Sequence, residues 1–227
     1  MIILMQLKNR FRLIRTSILF KIYRGSLKKQ VNSEDVTYQK YLDAQLLRTL
    51  LKKKYPIQEH TKLLINKLSE LSDLQGKKVL CVGCRNKAEL EYFQGKGVNQ
   101  VVGIDLYSED PKILVMDMHH MTFPGSSFDV VYSAHSLEHA YNVNQVAAEF
   151  VRVAKEGGLI VIEVPVHYQG VGTADLVDIE NLANLHDLFE PNIGNVLWTD
   201  EQESLTLTNT AGSSIIRTIF SVRKNLP

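Results

Sequence analysis

The sequence feature that most constrains the fold is a short apolar run that ends at a glycine and is followed by a helix-forming segment. The run covers Val79 to Val82, the glycine is Gly83, and the helix-forming segment begins near Lys87. Glycine lets the backbone turn tightly and approach a ligand, and a helix N-terminus offers unpaired N–H groups. The stretch therefore predicts the strand, turn and helix that open the ligand-binding half of an α/β sheet.

A second apolar run, Val101 to Ile104, ends at Asp105. A carboxylate at the end of the second strand of such a sheet can accept hydrogen bonds from both hydroxyls of a ribose. Gly83 and Asp105 together predict a site for a nucleoside-containing ligand.

The remainder of the chain continues the alternation of strands and helices. The pattern predicts a parallel sheet with helices on both faces. Gly157 and Gly158 are expected to end a helix and start the next strand. The predicted strands lie near residues 78–82, 101–105, 112–116, 128–133, 158–164, 195–199 and 215–222, and the predicted helices near residues 87–95, 143–155 and 175–189.

The segment 1–30 differs in charge from the rest of the chain. It contains eight Lys and Arg residues and no acid, whereas residues 31–227 contain 18 basic and 25 acidic groups. Apolar residues recur in it at helical spacing, so it is either a basic amphipathic helix on an anionic membrane or a partner, or a helix packed on its own domain. It lacks the uninterrupted apolar run of a transmembrane helix. Residues 25–32 are expected to form a linker.

Three regions follow from these patterns: a basic amphipathic arm at residues 1–30, a helical N-terminal cap at 31–75, and a ligand-binding domain at 76–227. The cap consists of two predicted helices, one from Tyr38 to Leu51 and one from Leu63 to Leu71, with Pro56 between them.

Several motifs in a fixed order carry a family resemblance. The chain resembles the class I S-adenosylmethionine-dependent methyltransferases, and within them the type 11-like group. The resemblance implies a Rossmann-like, doubly wound, seven-stranded sheet that is mostly parallel with an antiparallel C-terminal strand, and S-adenosyl-L-methionine as cofactor. The motifs are Gly83, Asp105, Met116-Asp117-Met118, Phe128-Asp129-Val130-Val131 and Ser136-Leu137-Glu138-His139.

The resemblance also implies which residues bind the cofactor. By position, Asp105 holds the ribose, Asp117 accepts from the adenine amino group, and Leu106 and Met118 flank the ring. The glycine turn departs from the family pattern, since Cys81 stands where the family has an acid, and Arg85 where it has glycine. The complete predicted set is Gly83, Cys84, Arg85, Glu89, Asp105, Leu106, Asp117, Met118 and Ser133.

His135 is the candidate general base, because in this architecture the loop after the fourth strand faces the transferred methyl group and an imidazole titrates near neutrality. The alternative is a hydrogen-bonded loop histidine without a chemical role. No metal is expected, because adjacent His119 and His120 point apart on a strand. The pair Cys81 and Cys84 is expected to be two buried thiols in a reducing compartment, with redox chemistry as the alternative.

The predicted activity is methyl transfer to an oxygen or nitrogen of a small molecule, such as a sugar or a lipid-linked compound, in the cytoplasm or at the inner face of a membrane. Nucleic acid is not an expected partner, because the body of the protein is acidic. Two alternatives stay open: a non-catalytic scaffold with this fold, and a peripheral membrane or complex subunit that acts through residues 1–30.

Overall fold

The computed structural model describes residues 2–31, 35–51, 56–84, 86–108, 110–166, 177–202 and 214–224, and among 2–31 the side chains of 10–27. Seven strands and six α-helices are present in this part of the chain. The helices are α1 (Ile2–Val31), α2 (Val36–Leu51), α3 (Glu59–Leu71), α4 (Ala88–Gly95), α5 (Val143–Val153) and α6 (Leu182–Asp187). The strands are β1 (Lys78–Val82), β2 (Gln100–Asp105), β3 (Ile113–Val115), β4 (Phe128–Ala134), β5 (Ala154–Pro165), β6 (Ile193–Gln202) and β7 (Ile215–Val222).

All seven strands form one sheet in the order β3-β2-β1-β4-β5-β7-β6. Neighbouring strands from β3 to β5 pair in parallel, and β7 runs antiparallel to both β5 and β6. The sheet is therefore mostly parallel with an antiparallel C-terminal strand, which confirms the predicted fold class.

The sheet is buried on both faces, which explains why its central strands are continuous apolar runs. In β1, Val79 and Cys81 face the cluster that contains α3 and α4, whereas Leu80 and Val82 face the cluster that contains α5 and α6. Asn142 caps α5 by accepting a hydrogen bond from the backbone N–H of Gln145 at 3.1 Å.

Helices α1 and α2 pack together near the ends of β2 and β3. Leu27 and Leu46 are buried there against Tyr107. The prediction of a linker at residues 25–32 is wrong, because α1 continues through Gly25 to Val31. The burial of Leu27 against α2 offsets the low helix propensity of one glycine.

The prediction of a helix over residues 143–155 is wrong at its end. Helix α5 ends at Val153, and Ala154 pairs with Phe128 at the start of β5. Gly157, with φ of 68°, belongs to the irregular start of that strand instead of a helix end. The predicted helix at 175–189 is much shorter, since α6 covers six residues; positions 175 and 176 lie outside the described residues.

None of the described helices is long and apolar enough to cross a bilayer.

Candidate functional site

A cleft lies at the carboxyl ends of β1 to β4. The strand order reverses between β1 and β4, and ligands of open α/β sheets bind at such a switch point. Helix α2 forms the opposite wall. The lining residues are Tyr41, Gln45, Arg48, Thr49, Val82, Gly83, Ile104, Asp105, Leu106, Met116, Asp117, Met118, His135, Ser136 and His139.

The turn after β1 requires glycine at position 83 for two reasons. Gly83 has φ of 73°, and a Cβ at this position would collide with the side chain of Ser136. The Ser136 hydroxyl lies 2.6 Å from the Ser133 hydroxyl and donates to the Val82 carbonyl at 3.1 Å. The small turn therefore lets the loop after β4 close against the end of β1, and both loops border the cleft.

Asp105 ends β2 and reaches the cleft together with Leu106. The Asp105 Oδ1 atom accepts a hydrogen bond from the backbone N–H of Tyr107 at 3.2 Å. This bond fixes the carboxylate at the carboxyl edge of the sheet, where a vicinal diol could bind it.

Asp117 is buried, with 1% of its surface exposed. Its Oδ1 atom accepts from the backbone N–H of His119 at 3.0 Å and lies 2.7 Å from His119 Nδ1, while Oδ2 accepts from the Tyr38 hydroxyl at 2.6 Å. Burial raises the pKa of the Asp117 carboxyl, but these hydrogen bonds outweigh it and hold the pKa below the usual value. Asp117 thus stays ionised and ties α2 to the cleft.

His135 follows β4 and lines the cleft in a left-handed backbone conformation, with φ of 53°. Its Nε2 atom lies 2.9 Å from Glu163 Oε1 without being aligned for a hydrogen bond, and its Nδ1 atom lies 3.8 Å from Glu138 Oε1. Burial lowers the pKa of His135, but the two carboxylates more than offset it, so the pKa lies above the usual value.

Glu163 is the centre of a charged cluster within the sheet and is fully buried. Its Oε1 atom lies 2.5 Å from His60 Nδ1, and its Oε2 atom accepts from Arg217 Nε at 2.6 Å. Arg217 also donates to Asp200 at 2.7 Å. Burial raises the pKa of Glu163, but the imidazoles of His135 and His60 hold it well below the usual value.

Sequence analysis missed this cluster, although a signal was present. Glu163 is the one charged residue in the apolar run 159–165 of β5, Arg217 is the one charged residue of β7, and the two occupy directly paired positions. Two isolated opposite charges in neighbouring buried strands indicate an ion pair, because an unpaired charge there is very costly.

His60, His135 and Glu163 are also the described side chains whose nitrogen and oxygen donors converge within 4.8 Å, as metal ligands do. However, Arg217 already neutralises Glu163, and His60 contacts the carboxylate at hydrogen-bond distance. These contacts favour an acid–base cluster over a cation site. The expectation of no bound metal stays a prediction.

The other predicted cofactor residues lie away from the lining set. Cys84 is buried with its Sγ atom 3.7 Å from the Ile104 carbonyl, Ser133 is buried under Ser136, and Glu89 lies on the first turn of α4. Arg85 lies outside the described residues. Their roles stay predictions.

Both cysteines are buried free thiols. Burial raises the pKa of Cys81 and of Cys84, with the Glu89 carboxylate adding to the effect in each case. Inaccessible, protonated thiols are poor nucleophiles, which favours the expectation of inert cysteines over redox chemistry.

Comparisons with known proteins agree with this geometry. A sequence model of the methyltransferase domain family matches residues 80–162. No match was found among curated protein sequences.

Three solved structures illustrate the fold similarity. The methyltransferase partner of the Haloferax volcanii Trm112 methyltransferase activator aligns with a TM-score of 0.60 at 16% identity, covering 74% of this chain and 91% of that one. The [4+2]-cyclase SpnF aligns with a TM-score of 0.59 at 14% identity, over 76% and 85%. The Haemonchus contortus phosphoethanolamine N-methyltransferase 2, solved with phosphomonomethylethanolamine and S-adenosylhomocysteine, aligns with a TM-score of 0.57 at 14% identity, over 75% and 54%.

The match to the methyltransferase domain model and the sheet order agree with the resemblance to class I S-adenosylmethionine-dependent methyltransferases that the motifs carry. S-adenosyl-L-methionine is the cofactor of this class. The cleft fits such a molecule chemically, since it offers the Asp105 carboxylate for ribose hydroxyls and the apolar side chains of Leu106, Met116 and Met118 for an adenine ring.

Proposed function

We propose that this protein transfers a methyl group from S-adenosyl-L-methionine to an oxygen or nitrogen of a small molecule, with His135 as the general base. The observation that carries the proposal is the position of His135. It lines the same cleft as Gly83, Asp105 and Asp117, at the end of β4, and it lies between two buried carboxylates.

When bound, the cofactor supplies a methyl group on a sulfonium centre. Asp105 would bind the ribose hydroxyls. Asp117 already has three hydrogen-bond partners, two on Oδ1 and one on Oδ2, and the second lone pair of Oδ2 is left to accept from an adenine amino group. Leu106 and Met118 would contact the faces of the ring.

His135 is arranged to take a proton from the acceptor. Glu163 lies beside Nε2 at 2.9 Å, so a proton is favoured on that nitrogen and Nδ1 is the atom that accepts. The proton of the attacking hydroxyl or amine passes to Nδ1, and the Glu138 carboxylate, 3.8 Å from it, stabilises the imidazolium that results. Because the neighbouring carboxylates raise the pKa of His135, a larger share of the base is protonated at neutral pH, and activity should rise with pH.

The wall formed by α2 closes the site. The Tyr41 hydroxyl donates to the His139 carbonyl at 2.5 Å, and Arg48 Nη1 lies 3.3 Å from His139 Nδ1. These contacts join α2 to the loop that carries His135. A covered cleft keeps acceptor and methyl donor in line and limits water, which is the main requirement of a direct transfer.

A small, partly apolar acceptor suits a cleft lined by both polar and apolar side chains. A sugar or a lipid-linked compound meets this description, and the charge of residues 1–30 supports the second. The competing proposal is a non-catalytic scaffold, which the atypical turn at Cys81 to Cys84 favours.

Calorimetric titration with S-adenosylmethionine and with its demethylated product tests the cofactor assignment. We expect binding of both, and a loss of affinity of roughly ten- to a hundredfold in Asp105→Ala, because a charged acceptor of ribose hydrogen bonds is removed. Asp73→Ala is the matched control, since Asp73 also accepts from a backbone N–H two residues later but lies before β1, at the opposite end of the sheet. No heat of binding and no thermal shift at millimolar ligand would overturn the methyltransferase proposal and leave the scaffold.

A further inference from the structure

Helix α1 has two apolar stripes on opposite sides. The inner stripe holds the helix on the protein through contacts with α2 and with the residues after β2. It comprises the buried Leu27 and the partly buried Leu19, Phe20 and Tyr23, packed with Leu46, Leu50, Leu106 and Tyr107.

The outer stripe consists of Phe11, Ile14, Ile18 and Ile22, and it is exposed. Their exposed fractions are 69%, 52%, 54% and 60%. Spacings of three and four residues place all four within an arc of about 80° on the helix, along roughly 16 Å of its axis. Such a row is unusual on a surface in contact with water alone.

Basic side chains border the outer stripe on both sides. At 3.6 residues per turn, Arg10 and Lys21 lie along one edge and Arg15 along the other, and all three are exposed. No acidic residue occurs in the helix from Ile2 to Val31. The surface therefore combines an apolar centre with basic margins.

We propose that the outer stripe of α1 is a membrane-binding surface that inserts into the interfacial region of an anionic lipid bilayer. Apolar side chains enter the boundary between headgroups and acyl chains, while flanking Lys and Arg side chains pair with lipid phosphates. A second copy of the chain fits this surface poorly. Pairing two such helices would bring basic margins together without any acid in either helix to balance them.

The proposal is independent of the cofactor, because the stripe faces away from α2, which lines the cleft. If the surface binds lipid, the wall of the cleft is held near the bilayer.

Vesicle co-sedimentation of the full-length protein tests this surface. One set of vesicles contains phosphatidylcholine alone and the other equal parts of phosphatidylcholine and phosphatidylglycerol. We expect binding to the anionic vesicles that weakens as salt is raised, and little binding to the neutral ones. The double variant Ile14→Gln, Ile18→Gln should bind anionic vesicles at least about tenfold more weakly, because two apolar side chains no longer enter the interface.

Leu13→Gln is the matched control. Leu13 lies on the same helix and is 64% exposed, but it falls roughly 140° from the centre of the stripe, so this variant should bind as the wild type does. Circular dichroism and thermal unfolding should be unchanged in both variants, since all three positions are exposed. Equal sedimentation of wild type and double variant overturns the proposal, and so does failure of the wild type to bind. Sedimentation velocity that shows a dimer abolished by the double variant also overturns it, because a second copy then covers the stripe.

Discussion

Two buried carboxylates, Asp117, which lines the cleft, and Glu163, which contacts the cleft residue His135, differ in how they are held. Asp117 follows β3, and Glu163 lies near the end of β5. Asp117 has one partner two residues away, His119, and one from the α2 wall, Tyr38. Asp117 thereby holds Tyr38 and His119 in place on the side of the cleft that is proposed for the nucleoside.

Glu163 draws its partners from three distant elements. His60 lies at the start of α3, Arg217 in β7, and His135 after β4. Loss of the carboxylate would leave the buried Arg217 cation with Asp200 as its acidic partner, at a half-buried position. Asp117 therefore joins helix α2 to the loop after β3. Glu163 instead pairs two strands of the sheet and contacts the candidate base, His135.

The largest effect that separates the two sites is expected from Glu163→Ala. Removing one partner of a buried ion pair strands the other charge, so the free energy of unfolding should fall by about 3–5 kcal/mol. Urea denaturation followed by circular dichroism measures this change. Glu201→Ala, which removes an exposed carboxylate from β6, is the control and should change stability by no more than about 0.5 kcal/mol. If the free energy of unfolding fell by less than about 1 kcal/mol in Glu163→Ala, the structural role given to Glu163 would be contradicted.

The two sites also differ in how far the sequence predicts them. The strands that end at Gly83, Asp105 and His135 follow from apolar runs and turns, and the order of parallel strands then brings these residues to one cleft. The pair His119 and Asp117 is local. By contrast, Glu163 and Arg217 are 54 positions apart and meet only through the register of β5 and β7.

Errors at element boundaries have the same origin. Local signals at Gly25 and at the Gly157-Gly158 pair predicted a linker and a helix end. Packing of Leu27 on α2 and pairing of Ala154 with Phe128 determine the observed structure instead. Tertiary contacts override such local preferences because each glycine effect is only about 1 kcal/mol.

An intermediate effect is expected from Tyr38→Phe at the Asp117 site. The variant removes one charge-assisted hydrogen bond of 2.6 Å, but His119 continues to satisfy the carboxylate. The free energy of unfolding should fall by about 1.5–3 kcal/mol. Tyr23→Phe is a matched control, because the Tyr23 hydroxyl donates to a neutral carbonyl, that of Ser108, at 3.1 Å. Loss of the Tyr23 hydrogen bond should lower the free energy of unfolding by about 0.5–1.5 kcal/mol. An equal decrease in both variants would show that Asp117 accepts no more strongly than a neutral carbonyl.

The smallest expected effect is the pH dependence of stability that comes from the charge on His135. The pKa of His135 in the folded protein lies above its usual value of 6.5, because Glu163 and Glu138 favour the imidazolium over the opposing effects of burial and Arg217. This contribution to stability is complete below about pH 6.5 and is lost as pH rises through the raised pKa. His135→Asn removes the titrating ring, and Asn tolerates the left-handed backbone at this position. The stability difference between wild type and this variant should therefore shrink as pH rises above neutrality.

His186→Asn gives a control of opposite sign. Burial lowers the pKa of His186, so folding favours its neutral form and the penalty appears as pH falls below the usual value. Thermal unfolding of the wild type and both variants across neutral pH measures how the stability difference from wild type changes with pH in each variant. If His135→Asn showed no slope relative to wild type, Glu163 would not hold a charged imidazole. The acid–base role of His135 would then lose its support, while the assignment of Asp117 to the nucleoside would be unaffected.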